Sequence, residues 1–287
     1  MPDALVADGL TKTYPARRGG TAAVTAAKQI GFRLPKGGSL GLVGESGSGK
    51  TTLARMIVGL ALPDAGTVTI DGRDRQWKAR GRKARLARAR EAQMVFQDPY
   101  GSLDRRLTVE GALRDVLRRH RSDLTSAGAA DHVRTLLDRV GLGEAKAESR
   151  PHQLSGGQRQ RVAIAKALAV DPAVLVLDEA VSALDVSVQA QILALLNEIR
   201  RESGVSLVFV SHDLAVVAEV TDQVLVMYEG ECVEHGATTD VLCRPQHPYT
   251  EMLLSSAPGP DWQPERVAEL RAVFAATRRE PTRSSLA

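Results

Sequence analysis

Gly44, Glu45, Ser46, Gly47, Ser48, Gly49, Lys50 and Thr51 follow the pattern G-x-x-x-x-G-K-[ST] at every position. The chemistry this offers is capture of phosphate. Glycines let a backbone take positive φ and wrap closely around oxygens. Amides exposed at a helix amino-terminus form an anion nest, and the helix dipole favours negative charge there. Lys50 has the reach and charge for β- and γ-phosphates, the Thr51 hydroxyl suits Mg²⁺, and Thr52 continues the binding segment. The plain alternative is a Gly/Ser-rich surface turn. The flanks argue against it: an apolar run at 40–43 precedes the loop, and Leu53, Met56, Ile57 and Leu60 follow at helical spacing. The loop implies a nucleoside triphosphate, and it leaves kinases, GTPases, recombinases and transport ATPases open.

A second chemical feature ends the apolar run at 173–178. Asp178 and Glu179 fall where such a strand would stop, and open α/β sheets bind ligands at the carboxyl ends of their strands. Asp178 there can bind Mg²⁺ through water. Glu179 is placed to polarise an attacking water as a general base. A Asp-Glu pair can equally open a loop or cap a helix, but the phosphate loop weighs against that reading.

The third feature is Leu154-Ser155-Gly156-Gly157-Gln158, running into RQRVAIAKALA. Ser155 can cap the helix that follows, while Gly156 and Gly157 leave its first amides uncovered. One chain thus holds two phosphate-binding helix ends, and the second has no lysine.

Positioning these groups requires a sheet. Apolar runs at 40–43, 92–97, 173–178 and 206–212 read as strands, and the last two are continuous, as expected of strands buried on both faces. Helical patterns alternate with them: one after the loop, one from 108 to about 141 with Val109, Leu113, Val116 and Leu117 on one stripe, then 157–169 and 187–203. Segments 4–10 and 30–34 read as early strands joined through a Gly/Arg-rich turn at 16–20, and 67–72 as a strand ending in an Asp-Gly turn. Alternation argues for a parallel or mixed sheet flanked by helices, with a largely helical insert between about 98 and 165. Residues 1–240 form the expected main domain. Residues 241–287, richer in proline and less periodic, form an expected appendage.

Composition narrows the functions available. The chain has 287 residues, 25% of them charged and 43% hydrophobic, enough for a substantial core. Aromatics are 3%, which argues against single-stranded nucleic-acid binding on stacked rings. The net charge of +4 calls for no polyanionic partner, although 73–90 is strongly basic and reads as a solvated helix or as a surface for anionic lipid or RNA. Cys232 and Cys243 form no C-x-x-C pair, which fits a reducing compartment. No signal-peptide pattern opens the sequence, and no run approaches the ~18 apolar residues of a membrane helix. A membrane role would have to come from a partner.

LSGGQ, preceded by the loop at 44–51 and followed by VLVLDE at 174–179, resembles the nucleotide-binding domain of the ABC ATPase family. The resemblance spans nearly residues 4–257. It implies an α/β P-loop NTPase with a mixed sheet core, an N-terminal antiparallel β subdomain and a helical insert carrying LSGGQ. It implies that Gln97 senses Mg²⁺ and contacts a membrane partner, and that Asp185 lies near a dimer seam. His212 would contact the γ-phosphate, and Tyr14 would stack on adenine. ATP would lie between the loop of one domain and Ser155, Gly156, Gly157 and Gln158 of another, with Glu179, His212 and Gln97 serving hydrolysis. Thr51, Gln97 and Asp178 would hold Mg²⁺.

Further stretches resemble one branch, the ATP-binding subunits of oligopeptide, dipeptide and nickel importers. They include MVFQDPYGSLDRRLTV and RPQHPYTEMLLSSAP at 244–258. The His-Pro-Tyr-Thr segment marks the branch and carries no catalytic logic of its own. The branch implies peptide import, with a nickel or metal-chelate complex as the alternative cargo. Expected partners are a second ATP-binding subunit, identical or not, two permease subunits and an extracytoplasmic solute-binding protein, with no specific nucleic acid. The expected location is the cytoplasmic face of the membrane. Many branch members carry a cysteine cluster in the tail; with only Cys243 near, no iron–sulfur centre is expected here. The rival readings are an ABC ATPase acting on nucleic acid or ribosomes and a small-molecule P-loop kinase.

Overall fold

β1 (Asp3–Tyr14) and β2 (Val24–Pro35) are long antiparallel partners. β4 (Ala65–Ile70) pairs antiparallel with the other edge of β1, and the short β5 (Arg73–Asp74) completes a four-stranded sheet of order β2-β1-β4-β5. Asp71 and Gly72 turn the chain between β4 and β5 with φ of 54° and 75°, the positive values that both central residues of a tight hairpin take. This is the expected antiparallel β subdomain. The computed structural model describes residues 2–16, 22–75, 81–121 and 123–256, with Leu270 and Phe274. Part of the turn at 16–20, part of the basic stretch at 73–90 and most of the tail beyond 256 lie outside the described residues.

The second sheet has six strands in the order β10-β9-β3-β8-β7-β6. β3 (Ser39–Val43), β6 (Ala92–Val95), β7 (Val174–Asp178), β8 (Ser206–Val210) and β9 (Gln223–Tyr228) run parallel, and β10 (Glu231–Ala237) returns antiparallel to β9. The sheet is therefore mixed. Every residue of β3, β7 and β8 is buried, which is why these runs are apolar without alternation. β9 and β10 were not legible in the sequence. They put the carboxyl end of β9 beside that of β3.

α1 (Lys50–Val58) leaves β3 through the glycine loop and stops at Gly59, which takes a left-handed φ of 81°. Leu60 is therefore outside the helix and exposed, not on its buried stripe with Leu53, Met56 and Ile57. The strand expected at 92–97 ends at Val95, so Gln97 lies in the exposed connection beyond it. α2 (Arg82–Glu91), within the basic stretch, buries none of its residues.

The helical pattern from 108 to 141 is two helices. α4 (Val109–His120) and α5 (Ser126–Arg139) each start at a threonine whose hydroxyl accepts an amide three residues on: Thr108 from Gly111, Thr125 from Gly128. Such a cap is worth about 1 kcal/mol, enough to fix where each helix begins. With α3 (Pro99–Ser102) and α6 (Gly156–Leu168) they enclose Leu113, Leu117, Leu137, Val162 and Ile164. α7 (Val186–Ser203) and α8 (Leu214–Val220) complete the connections around β7 and β8.

The chain beyond β10 forms α9 (Thr238–Cys243) and α10 (Pro248–Ser255). Tyr249 is fully buried and Met252 nearly so, in one cluster with Val224 and Val226 of β9. A fully buried large apolar side chain contributes roughly 1.5–3 kcal/mol, so α10 is held to the sheet by its own core contacts.

Candidate nucleotide site

Three strand ends converge on the glycine loop. β3 delivers the loop itself, β7 delivers Asp178 and Glu179, and β8 leads through Ser211 to His212. Because these strands are adjacent and parallel, residues far apart in sequence meet at one edge, as the ligand-binding edge of an α/β sheet requires.

The loop is tightly housed. Gly49 has a φ of 107°, and a Cβ there would stand 1.9 Å from the Ala26 carbonyl oxygen. No side chain could be accommodated. Gly49 caps α1 without a side-chain hydrogen bond, so the first amides of the helix face outward uncovered. The Ser48 amide donates to the Glu45 carbonyl at 3.2 Å and closes the turn.

Lys50 is buried, and its Nζ donates to the carbonyls of Gly44 at 2.7 Å and Glu45 at 2.8 Å. Burial pushes its pKa below the usual lysine value, against the opposing pull of Glu179, Asp178 and Glu45. Asp178 is also buried, and its pKa is raised, first by burial and further by Glu179, while the Thr51 hydrogen bond, Arg55 and Lys50 oppose the rise. Thr51 Oγ1 donates to Asp178 Oδ1 at 3.3 Å. A buried lysine and a buried carboxyl group thus stand close enough to interact, each poorly solvated.

Glu179 has a φ of 47°, uncommon for a residue with a Cβ. Such strain costs on the order of 1–3 kcal/mol and persists where neighbours over-determine it. Here the Glu179 amide donates to the Val210 carbonyl at 3.0 Å, and the Ser182 hydroxyl donates to the Glu179 carbonyl at 2.9 Å. The carboxylate Oε1 lies 3.4 Å from Nδ1 of His212, whose ring is exposed.

Ser155 to Gln158 sit elsewhere. Ser155 caps α6, accepting the Gln158 amide at 3.3 Å, while Gln158 Oε1 accepts the Ser155 amide at 3.0 Å. Gly157 packs against α7, where an added Cβ would stand 2.4 Å from Val188 Cγ1. Ser155, Gly157 and Gln158 line a cavity of about 290 Å³ with Lys146, Arg161 and Gln191, and no residue of the glycine loop lines it. Asp185 caps α7 by accepting the Val188 amide at 2.9 Å. Tyr14 ends β1 exposed, with Lys12 Nζ 5.6 Å from its ring centre.

The fold thus brings together Lys50, Thr51, Asp178, Glu179 and His212. Tyr14 lies at the exposed end of β1 and Gln97 in the exposed connection beyond β6, and the Ser155 helix start forms a separate surface. Sequence reasoning missed one contact in this site: the Glu45 amide donates to the Tyr249 hydroxyl at 2.9 Å. The partners are 204 positions apart, and no local pattern at either end signals the pairing.

A family model described as "ABC transporter" matches residues 27–182. The chain belongs to the ABC transporter family. A second model, "Oligopeptide/dipeptide transporter, C-terminal region", matches residues 233–279 of this cassette. The cassette is 46% identical over 90% of its length to the glutathione import ATP-binding protein GsiA of Pectobacterium atrosepticum, of which it spans only 41%. It is 44% identical over 85% of its length to the oligopeptide transport ATP-binding protein OppF of Bacillus subtilis, covering 79% of that protein. Among solved structures it is similar to the dimeric ATP-binding cassette MJ0796 in a post-hydrolysis state bound to ADP and Pi. That likeness has a TM-score of 0.70 at 29% identity and covers 82% of this chain and 98% of the other. The expected α/β P-loop NTPase fold is thereby established, and the chain is an ABC ATPase.

Proposed function

We propose that this chain is the ATP-hydrolysing subunit that energises an ABC importer for peptides. The observation that carries the catalytic part is the meeting of Lys50, Thr51, Asp178, Glu179 and His212 at one sheet edge. The transport class is supported by the oligopeptide/dipeptide match at 233–279 and by the peptide and glutathione transport names of the relatives.

The phosphates of ATP take the amides of the loop, Gly44 to Thr52, and the Lys50 ammonium; adenine stacks on the exposed Tyr14 ring. A water attacks the γ-phosphorus as the bond to the β–γ bridging oxygen breaks, and Glu179 accepts the water's proton. His212, beside Glu179, and Gln97 orient the γ-phosphate. The products are ADP and phosphate.

Mg²⁺ fits the donors present. Thr51 and Asp178 offer hard oxygen ligands already within hydrogen-bonding distance, with Gln97 as a third. Among the described residues no group of three or more His, Cys, Asp or Glu could hold a metal alone. Mg²⁺ commonly shares its shell between one or two protein oxygens and substrate phosphates. Bound there, it would neutralise phosphate charge.

Ser155, Gly157 and Gln158 line a cavity apart from the loop, which supports their serving, with Gly156, the ATP of a second ATP-binding subunit. Two permease subunits and an extracytoplasmic solute-binding protein complete the assembly. Among the described residues no helix is long and apolar enough to cross a membrane, so the chain would join the cytoplasmic face of the membrane through the permeases. Residues 1–240 form the ATPase domain, with its helical part at about 98–165, and 241–287 the extension.

The reading is tested by co-expressing the chain with two permease subunits of a peptide importer from the same genome, reconstituting the complex in vesicles and following peptide uptake. ATP-dependent uptake that Lys50→Ala abolishes is the expected result. ATP hydrolysis without any associated permease, but with retention on ribosomes or DNA at physiological salt, would replace it with the nucleic-acid reading.

A further inference from the structure

Among the described residues, a hydrogen bond joins the extension to the phosphate loop. Tyr249 stands at the start of α10, fully buried, and its hydroxyl accepts the Glu45 amide at 2.9 Å. Tyr249 packs on Tyr228 of β9, ring centres 4.4 Å apart, and Phe274 lies 5.5 Å from its ring. Its pKa is pushed up to about 12, chiefly by burial, so the hydroxyl stays neutral across the physiological range.

The position of Tyr249 is itself fixed by polar contacts. Glu234 of β10 accepts the amides of Gln246 at 2.8 Å and His247 at 3.1 Å. His247 Nδ1 then accepts the Tyr249 amide at 3.1 Å and caps α10. A second support reaches the same loop from the β9–β10 turn, where the Gly230 amide donates to the Ser48 carbonyl at 3.0 Å. The loop is thus held on its outer side at Glu45 and at Ser48.

We infer that Tyr249 is a positioning residue for ATP binding, a strut through which the extension holds the glycine loop in its phosphate-accepting shape. The proposal rests on the ATP-binding reading above. A loop already in its bound shape loses less freedom when ligand arrives, and that saving appears as affinity. Removing the hydroxyl frees the Glu45 amide and loosens the loop at its first variable position. Tyr249 touches no reacting atom, so the effect falls on nucleotide affinity rather than on the hydrolytic step.

The test uses the full chain with Tyr249→Phe, which keeps the ring and removes only the hydroxyl. MgATP affinity is measured by calorimetry, melting temperature without nucleotide, and hydrogen exchange at the Glu45 amide. Expected are a Kd raised about three- to tenfold, as for loss of one hydrogen bond, a melting temperature lowered by no more than about 2–4 °C and faster exchange at Glu45. His247→Asn, which retains a capping acceptor, is expected to bind MgATP like wild type, while His247→Ala weakens binding. If wild type binds MgATP and Tyr249→Phe binds it equally well, the strut is overturned and the ATPase reading stands. If wild type does not bind MgATP, the ATPase reading itself fails. Unchanged exchange at Glu45 in Tyr249→Phe overturns the strut in either case.

Discussion

Thr51 and Asp178, 127 positions apart, are joined by a 3.3 Å hydrogen bond across the space between the first turn of α1 and the end of β7. The bond ties the two halves of the site and sets a buried carboxylate beside a buried lysine. Its consequences are measurable.

Asp178 has a raised pKa, so the folded chain holds its proton more tightly than the unfolded chain does. Stability therefore declines as pH rises from the unfolded carboxylate value through the higher folded value, and the full penalty is present above that. Asp178→Asn removes the charge. Without nucleotide at pH 7 it should melt higher than wild type, by about 2–4 °C for each kcal/mol relieved, while losing Mg²⁺-dependent hydrolysis. Calorimetric melting at pH 7 checks the first part and turnover against Mg²⁺ concentration the second. A lower melting temperature would contradict the sign.

Lys50 is displaced in the opposite sense for the same reason: burial lowers its pKa. In the free chain it loses its charge below the ordinary lysine value of about 10.4. Triphosphate binding favours the charged form, so affinity should fall as pH climbs through the lowered value, by up to about tenfold per pH unit above it. Lys50→Ala should bind ATP at least about tenfold more weakly at pH 7 and lose this dependence. Equilibrium binding across the alkaline range distinguishes the two proteins.

The two glycines of LSGGQ should fail differently. A Cβ at Gly157 would meet Val188 Cγ1 at 2.4 Å, whereas one at Gly156 would stand 3.4 Å from Leu184 Cδ2. Gly157→Ala should cost roughly 1–3 kcal/mol through overpacking, read as a lower melting temperature. Gly156→Ala should fold normally, yet its methyl would cover the helix start proposed to serve a second subunit's nucleotide. Reduced turnover of the assembled transporter, with melting unchanged, is the expected result.

Much of this site was legible because its signals are local. The glycine loop needs positive φ and a helix start, and both are written in 44–51. The burial of 174–177 shows directly as an unbroken apolar run. Thr108 and Thr125 were equally local signals for the division between α4 and α5, but the apolar stripe spoke more loudly than its caps. What was hidden is long-range. The left-handed stop at Gly59 removed Leu60 from the core, because a helical spacing continues past a glycine on paper but not in the chain. The β9–β10 hairpin and the Tyr249 contact depend on which strand lies beside β3, which no window of sequence states.

The central claim is that Glu179, strained and held 3.4 Å from His212, activates the water that cleaves ATP bound over Lys50. Single-turnover cleavage of γ-labelled ATP by wild type and Glu179→Gln, with binding measured on the same samples, tests it directly. The account predicts equal binding and cleavage slowed by about 10²–10⁴-fold in the variant. Equal binding with equal cleavage rates would contradict it.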